Sequence, residues 1–305
     1  MITIIRGTDA IDVAHPVFLM FGQPGIGKST LGYSMRDVLT LDFDLGAHRA
    51  ANRRDTVQVA TWEVVAALLT DPTILEPYAA LCVDTVGRCL DLMTIDIIET
   101  SPKLARDGTL TQQGWGQLKT RFRTFVSQIR ALNKDLLLLA HDKEDKDGEL
   151  RIVRPDITGG SYGEVLKNAD FVGYLSMIGK HRVLEFSPTD RWVGKNPAGW
   201  RPLTVPPVEQ ATDFMADLYA RGREALGTIS ERAGRLTAQV DTWRQTFAGM
   251  DTAAALNAQM PLVKAITVPS VQAQAAKLLM DRGETLGLAF DKKAKRFLEP
   301  MPAAV

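Results

Sequence analysis

Net charge is the first thing this sequence lacks: 36 lysines and arginines balance 36 aspartates and glutamates over 305 residues. Such a chain has no global field with which to hold a polyanion, so any nucleic-acid contact has to come from a local patch. Cysteine is nearly absent. Cys82 and Cys89, with four scattered histidines, cannot furnish the Cys/His framework of a structural zinc site. Both thiols sit among apolar residues and read as small buried hydrophobes of a reducing compartment. No apolar run reaches membrane-spanning length, and the start Met1-Ile2-Thr3-Ile4-Ile5-Arg6 lacks the basic head and longer apolar core of a signal peptide. The expectation is a soluble, cytoplasmic protein with no membrane partner. No internal repeat or low-complexity segment is visible, and with 45% hydrophobic and 24% charged residues the chain can bury a sizeable core.

What is present is an alternation. From about residue 16 to 186, short apolar runs alternate with amphipathic segments, the pattern of strands and crossover helices in a parallel sheet. Strands are predicted at Val17 to Phe21, Val38 to Phe43, Ala80 to Val83, Leu136 to Ala140, Phe171 to Met177 and Arg182 to Phe186. Helices are predicted at Trp62 to Leu69, Val86 to Thr100 and Trp115 to Leu132. The run Leu136-Leu137-Leu138-Leu139-Ala140 has no period-two alternation, as suits a central strand covered on both faces. The proline-rich stretch Ser187 to Pro207 reads as irregular chain along the sheet edge. After Val208 the period becomes helical: Ile229, Ala233, Leu236, Val240, Trp243 and Phe247 form one apolar stripe, and Val271, Ala275, Leu278 and Leu279 a second. The expected division is an α/β core over residues 1–207 and a helical module over 208–305. Its basic end, Lys292 to Arg296, reads as a solvated helix face, with nucleic acid or a protein partner as the alternative.

One motif carries chemistry outright. Gly22-Gln23-Pro24-Gly25-Ile26-Gly27-Lys28-Ser29-Thr30 follows the first apolar run and matches the phosphate-binding loop G-x-x-x-x-G-K-[ST]. Its glycines let backbone N–H groups turn toward phosphate oxygens, Lys28 places a charge on the outer phosphates, and the Ser29 hydroxyl is suited to Mg²⁺. A helix starting near Lys28 adds its own N–H donors to the anion site. ATP with Mg²⁺ is therefore the expected ligand set. At the end of the third run, Asp84 is placed to hold the metal's water shell, giving Ser29 and Asp84 as the metal residues. Resemblance to RecA-type ATPases implies that Asp44, with Asp42 as the alternative, activates water, unless both only cap a loop, and that His141, which ends the central strand, senses the terminal phosphate. The following segment, Lys143 through Gly163, carries Arg151, Arg154, Gly159, Gly160 and Tyr162. It reads equally as a mobile loop tracking single-stranded backbone or as a surface hairpin around Asp147-Gly148.

The strand ends together resemble a family. AAA+ ATPases usually have Asp-Glu where this chain has Asp84-Thr85, which argues against that class, whereas Asp84-Thr85-Val86 resembles the Asp-Ser-Val of RecA-type recombinases. Asp44 occupies the place of the RecA-class water-activating glutamate, one methylene shorter. Gly194-Lys195-Asn196 resembles the segment with which RecA-fold hexameric helicases reach into a neighbour's site, although Pro197 stands where their arginine is usual. With Ala140-His141 and Asn168-Ala169-Asp170, these motifs make residues 15 to 207 similar to phage-encoded RecA-like P-loop ATPases of the single-strand-annealing and recombination type, which carry an AAA label. The resemblance implies a RecA-like core with a mostly parallel sheet flanked by helices. It implies Lys28, Asp44, His141 and, in trans, Lys195 as catalytic residues, single-stranded DNA as partner, and homo-oligomeric rings or filaments in a phage host's cytoplasm. The helical tail lies outside it and is free to bind DNA, a single-strand-binding protein or another recombination or replication partner. The alternative function is an ATPase switch or accessory factor of phage DNA replication or packaging. A small-molecule kinase ranks third, since no arginine-bearing lid is apparent.

Overall fold

The computed structural model describes residues 4–147 and 150–299. In chain order its elements are β1 (Val17–Gly22), α1 (Lys28–Gly32), β2 (Val38–Asp42), β3 (Thr56–Gln58), α2 (Trp62–Thr70), β4 (Ala80–Asp84) and α3 (Val86–Thr100). There follow β5 (Ala105–Arg106), β6 (Thr109–Leu110), α4 (Gln112–Ala131), β7 (Asp135–Asp147), β8 (Leu150–Pro155), α5 (Ser161–Asn168), β9 (Phe171–Ile178), β10 (His181–Glu185) and β11 (Leu203–Val205). The chain then turns helical, with α6 (Phe214–Ala248), α7 (Ala253–Lys264) and α8 (Pro269–Thr285), and closes on the hairpin β12 (Ala289–Asp291) and β13 (Arg296–Leu298).

Two compact units emerge, one spanning Val13–Leu226 and the other formed by residues up to Asp12 together with those from Gly227 onward. In the larger unit, nine strands among the described residues form one sheet in the order β11-β10-β9-β1-β7-β4-β2-β3, with β8 paired to β7. The strands from β9 across to β3 run parallel, while β10, β11 and β8 join antiparallel. This is the mostly parallel α/β core expected from the alternation. Every residue of β1, β2 and β4 is buried, which is why these strands read as unbroken apolar runs. Along β1, Val17, Leu19 and Phe21 face the layer holding α2, α3 and α4, whereas Phe18 and Met20 face Leu31, Tyr33, Met215 and Tyr219.

The second layer is aromatic. Phe171 stacks on Phe18 at 4.5 Å and on Trp200 at 4.7 Å between ring centroids, with Phe186 edge-on to all three. Trp200 comes from the proline-rich stretch, which thus folds onto the sheet and supplies β11 to its edge. Phe171 is fully buried. Phe171→Ala is therefore expected to destabilise the unit by about 3–5 kcal/mol, read as a shift in the denaturant midpoint at unchanged slope.

The smaller unit has its own core of Phe247, Leu256, Val263, Ala275, Leu279 and Phe297. Its C-terminal helices are those the period called for, with two corrections. The first stripe is buried only at its end: Ile229 and Ala233 are exposed, and Gly234 instead lies against the backbone of Thr8. The Lys292 to Arg296 cluster is not a helix face, because Asp291 Oδ1 accepts the Lys293 and Ala294 N–H groups at 2.8 and 3.0 Å and closes the β12–β13 turn. Among the described residues no helix is long and apolar enough to cross a membrane.

Candidate nucleotide site

The parallel order brings the C-terminal ends of β1, β2, β4 and β7 to one edge. Register sets Gly22 opposite His141 and Asp42 opposite Asp84, so four motifs far apart in sequence meet around one cleft of about 550 Å³. The phosphate-binding loop lines it with Pro24, Gly25, Gly27, Lys28, Ser29 and Thr30. Gly25 and Gly27 have φ of 79° and 97°, left-handed values that L side chains resist, which explains glycine at both. The helix after the loop is shorter than expected. α1 has five residues and ends where Gly32 packs against Cys82 and Leu139, so its dipole is small and the loop's own N–H groups remain the main anion donors.

Lys28 is buried, and its ammonium donates to Gly22 O at 2.7 Å and Gln23 O at 2.9 Å, with His141 Nδ1 at 3.5 Å. Burial lowers its pKa, partly countered by the carboxylates of Asp84, Asp142 and Asp44. His141 Nε2 lies 3.3 Å from Asp44 Oδ2. The two ring nitrogens of His141 thus bridge the Lys28 ammonium and the Asp44 carboxylate. Asp44 Oδ1 also accepts the Thr85 hydroxyl at 3.3 Å and has Arg88 Nε at 3.9 Å. Burial raises the Asp44 carboxyl, but the hydrogen bond and charge of His141, with Thr85 and Arg88, outweigh it and hold the group below its ordinary value.

Asp42 differs. Its two carboxylate oxygens accept the Gly46 and Ala47 N–H groups at 3.0 and 2.8 Å, capping the turn after β2, and its residue is 1% exposed. The loop-cap reading thus applies to Asp42, while Asp44 keeps unused lone pairs and 20% side-chain exposure toward the cleft. Asp84, 8% exposed, is raised by burial and by the charges of Asp44 and Asp42, against the lowering hydrogen bond of Ser29 and charge of Lys28. A buried carboxylate next to two others and a serine hydroxyl is a donor set that a divalent cation relieves, so Ser29 and Asp84 fit Mg²⁺. The peptide joining Asp84 to Thr85 is cis.

Two predicted features lie elsewhere. Lys195 pairs its backbone with Val172 and donates its ammonium to Ala169 O at 2.5 Å, at the N-terminal end of β9 and the opposite edge of the sheet from the loop. The segment after His141 is the hairpin, β7 with β8, its turn at 148–149 lying outside the described residues. Three of its four cations are paired, Arg151 with Glu144, Arg154 with Asp145 and Lys143 with Asp156, while Arg154 also covers the Tyr162 ring and Lys146 forms no ion pair among the described residues. Tyr162 and Arg154 therefore engage each other. Sequence reasoning missed Arg182, which reaches from β10 to Ile26 O and Pro206 O, and Arg49, which lines the cleft. Neither belongs to a motif, and only the folded edge reveals them.

Among known proteins, a family described as AAA domain matches residues 14–198, more than half of the chain. That description agrees with the AAA label carried by the P-loop ATPases the sequence resembles. No curated protein shows significant similarity to the chain. Among solved structures, a KaiC-like protein from the hyperthermophilic archaeon Pyrococcus horikoshii OT3 superposes with a TM-score of 0.34 at 10% identity, covering 58% of this chain and 86% of that one. An ATPase of the type III secretion system of pathogenic bacteria gives a TM-score of 0.37 at 11% identity, over 89% of this chain and 80% of that one. With this match over more than half of its length and a phosphate-binding loop at the end of β1, the chain belongs to this family of AAA domains and is a P-loop ATPase.

Proposed function

We propose that the protein binds ATP with Mg²⁺, hydrolyses it, and uses the cycle to reset the β7–β8 hairpin, with single-stranded DNA as the partner in phage-type recombination or strand annealing. The observation that carries the ATPase part is the chain Lys28–His141–Asp44, which links the phosphate-binding loop to a carboxylate held ionised. In this reading the loop and Lys28 hold the triphosphate, and Ser29 and Asp84 hold Mg²⁺, which supplies charge neutralisation when bound. Asp44 accepts a proton from water as the water oxygen bonds to the γ-phosphorus and the bridging oxygen leaves with ADP. His141 belongs to β7, and its contacts to Lys28 and Asp44 change when either engages the nucleotide. The same strand continues into the hairpin, so a single rigid element joins the site to the proposed DNA-contacting segment. Support for single-stranded DNA, for rings or filaments and for a recombination partner docked on the C-terminal unit comes from the sequence resemblance.

The ion pairs along the hairpin favour a second reading, because cations already neutralised by carboxylates attract phosphate weakly. There the ATPase acts as a DNA-independent switch or accessory factor in replication or packaging. Steady-state turnover with and without single-stranded DNA separates the two: stimulation and retention of DNA support the first, slow turnover indifferent to DNA supports the second. Lys195→Ala bears on the trans cation. The bond to Ala169 O leads us to expect a stability loss of about 1 kcal/mol with turnover kept within about twofold in the assembled protein. A turnover loss of about a hundredfold or more would restore Lys195 as a neighbour's catalytic residue.

A further inference from the structure

Lys195 lies at the far edge of its own sheet, so a second cation acting beside Lys28 within the same chain has to come from elsewhere. A second cavity of about 430 Å³ adjoins the nucleotide cleft and shares three residues with it: Asp44, His141 and Arg49. These three residues form the boundary between the two cavities. Arg49 closes a short 3-10 turn, Ala47–Arg49, whose entry is pinned by both carboxylate oxygens of Asp42. Its guanidinium folds back over Gly46, where a Cβ would occupy the space now taken by Arg49 Nη2. Arg88, by comparison, is paired with Asp91 and lies near Asp44, and Arg182 is bound to carbonyls. Arg49 is exposed and forms no ion pair among the described residues.

We propose that Arg49 is a catalytic residue acting in cis: its guanidinium contacts the γ-phosphoryl group of ATP, with Asp42 and Gly46 as the positioning residues that aim it. This rests on the ATPase reading above. A planar fork with five donors matches the equatorial oxygens of a phosphoryl group, and an unpaired guanidinium gains most where negative charge builds up. The buried Asp42 then has a purpose other than base catalysis, holding the turn in the one conformation that keeps Arg49 at the boundary.

The test compares wild type with Arg49→Ala, Arg49→Lys and Gly46→Ala. Gly46 has φ of −107°, a backbone conformation alanine accepts, so Gly46→Ala displaces the guanidinium without removing it. Arg49→Ala is expected to lower kcat about 100- to 1000-fold and to weaken binding of the ADP–aluminium fluoride complex, while MgADP affinity measured by calorimetry stays within about twofold. Gly46→Ala should reproduce that split, and Arg49→Lys should recover only part of kcat. If Arg49→Ala keeps wild-type turnover and transition-state analogue binding, or loses MgADP affinity in equal measure, the assignment is overturned while the ATPase reading stands. If wild type itself neither hydrolyses ATP nor binds the analogue, both fall together.

Discussion

Lys28→Ala is expected to reduce ATP turnover at least about a thousandfold and to abolish the rise in melting temperature that ATP gives the wild-type protein. The ammonium has no freedom to be replaced by a neighbour, since it is buried, held by Gly22 O and Gln23 O, and faces His141. Burial has already lowered its pKa, so part of the hydration that a surface lysine keeps is gone before ligand arrives. A charge desolvated in advance is worth more to the incoming phosphates than one still wrapped in water. Arginine should not rescue it, because a planar fork does not fit a pocket built around one ammonium between two carbonyls. Phosphate release and thermal shift measured on the same preparation check both halves. Normal turnover by Lys28→Ala would overturn the nucleotide site itself.

Asp44→Asn should lower kcat by about 100- to 10,000-fold while leaving ATP affinity within about threefold, since it removes the base and little of the binding surface. The pH dependence follows from the sign of the shift. Burial alone would raise the Asp44 carboxyl, but the hydrogen bond and charge of His141, with Thr85 and Arg88, hold it below the usual 3.8, so the base stays ionised throughout the neutral and mildly acidic range. Wild-type kcat/KM is therefore expected to be level from neutrality down to about pH 5, reporting no proton uptake by the base. An acid limb near about 6.5, where imidazoles ordinarily titrate, would transfer the base role away from Asp44. Retained turnover in Asp44→Asn would do the same by a separate route.

How much of this was legible beforehand depended on the range of the interactions. The strands β1, β2, β4 and the start of β7 were readable because complete burial on two faces writes itself as an unbroken apolar run, β9 and β10 because their apolar residues cluster in partly buried runs, and the helix α3 because one-sided burial writes itself as a 3.6-residue period. β3 and β11 were missed, being three residues each at the sheet margins with little apolar signal. The extension of β7 past Ala140 was legible only as one of two equal alternatives, because residues 141 to 147 are polar and become strand only where β8 pairs with them. The basic cluster near the C-terminus was misread for the same reason, its turn being set by Asp291 and by strand pairing rather than by helical period.

The candidate site divides along a similar line. Gly22 to Thr30 declared themselves because phosphate binding there is done by local backbone, and local backbone geometry is encoded in contiguous residues. Asp42 and Asp44 could not be separated in sequence, being two residues apart with the same chemistry. The fold separates them, turning one inward onto the N–H groups of Gly46 and Ala47 and the other toward His141, 97 positions away. Lys195 was singled out by its resemblance to a trans-acting lysine and within its own chain binds Ala169 O, whereas Arg49 belongs to no motif and lines the cleft. Short-range geometry and burial pattern suffice to write a triphosphate loop on a parallel α/β core into the order of residues. Which carboxylate and which cations face the loop is set in the folded chain, because sheet order and register, not neighbourhood in the chain, bring the strand ends together.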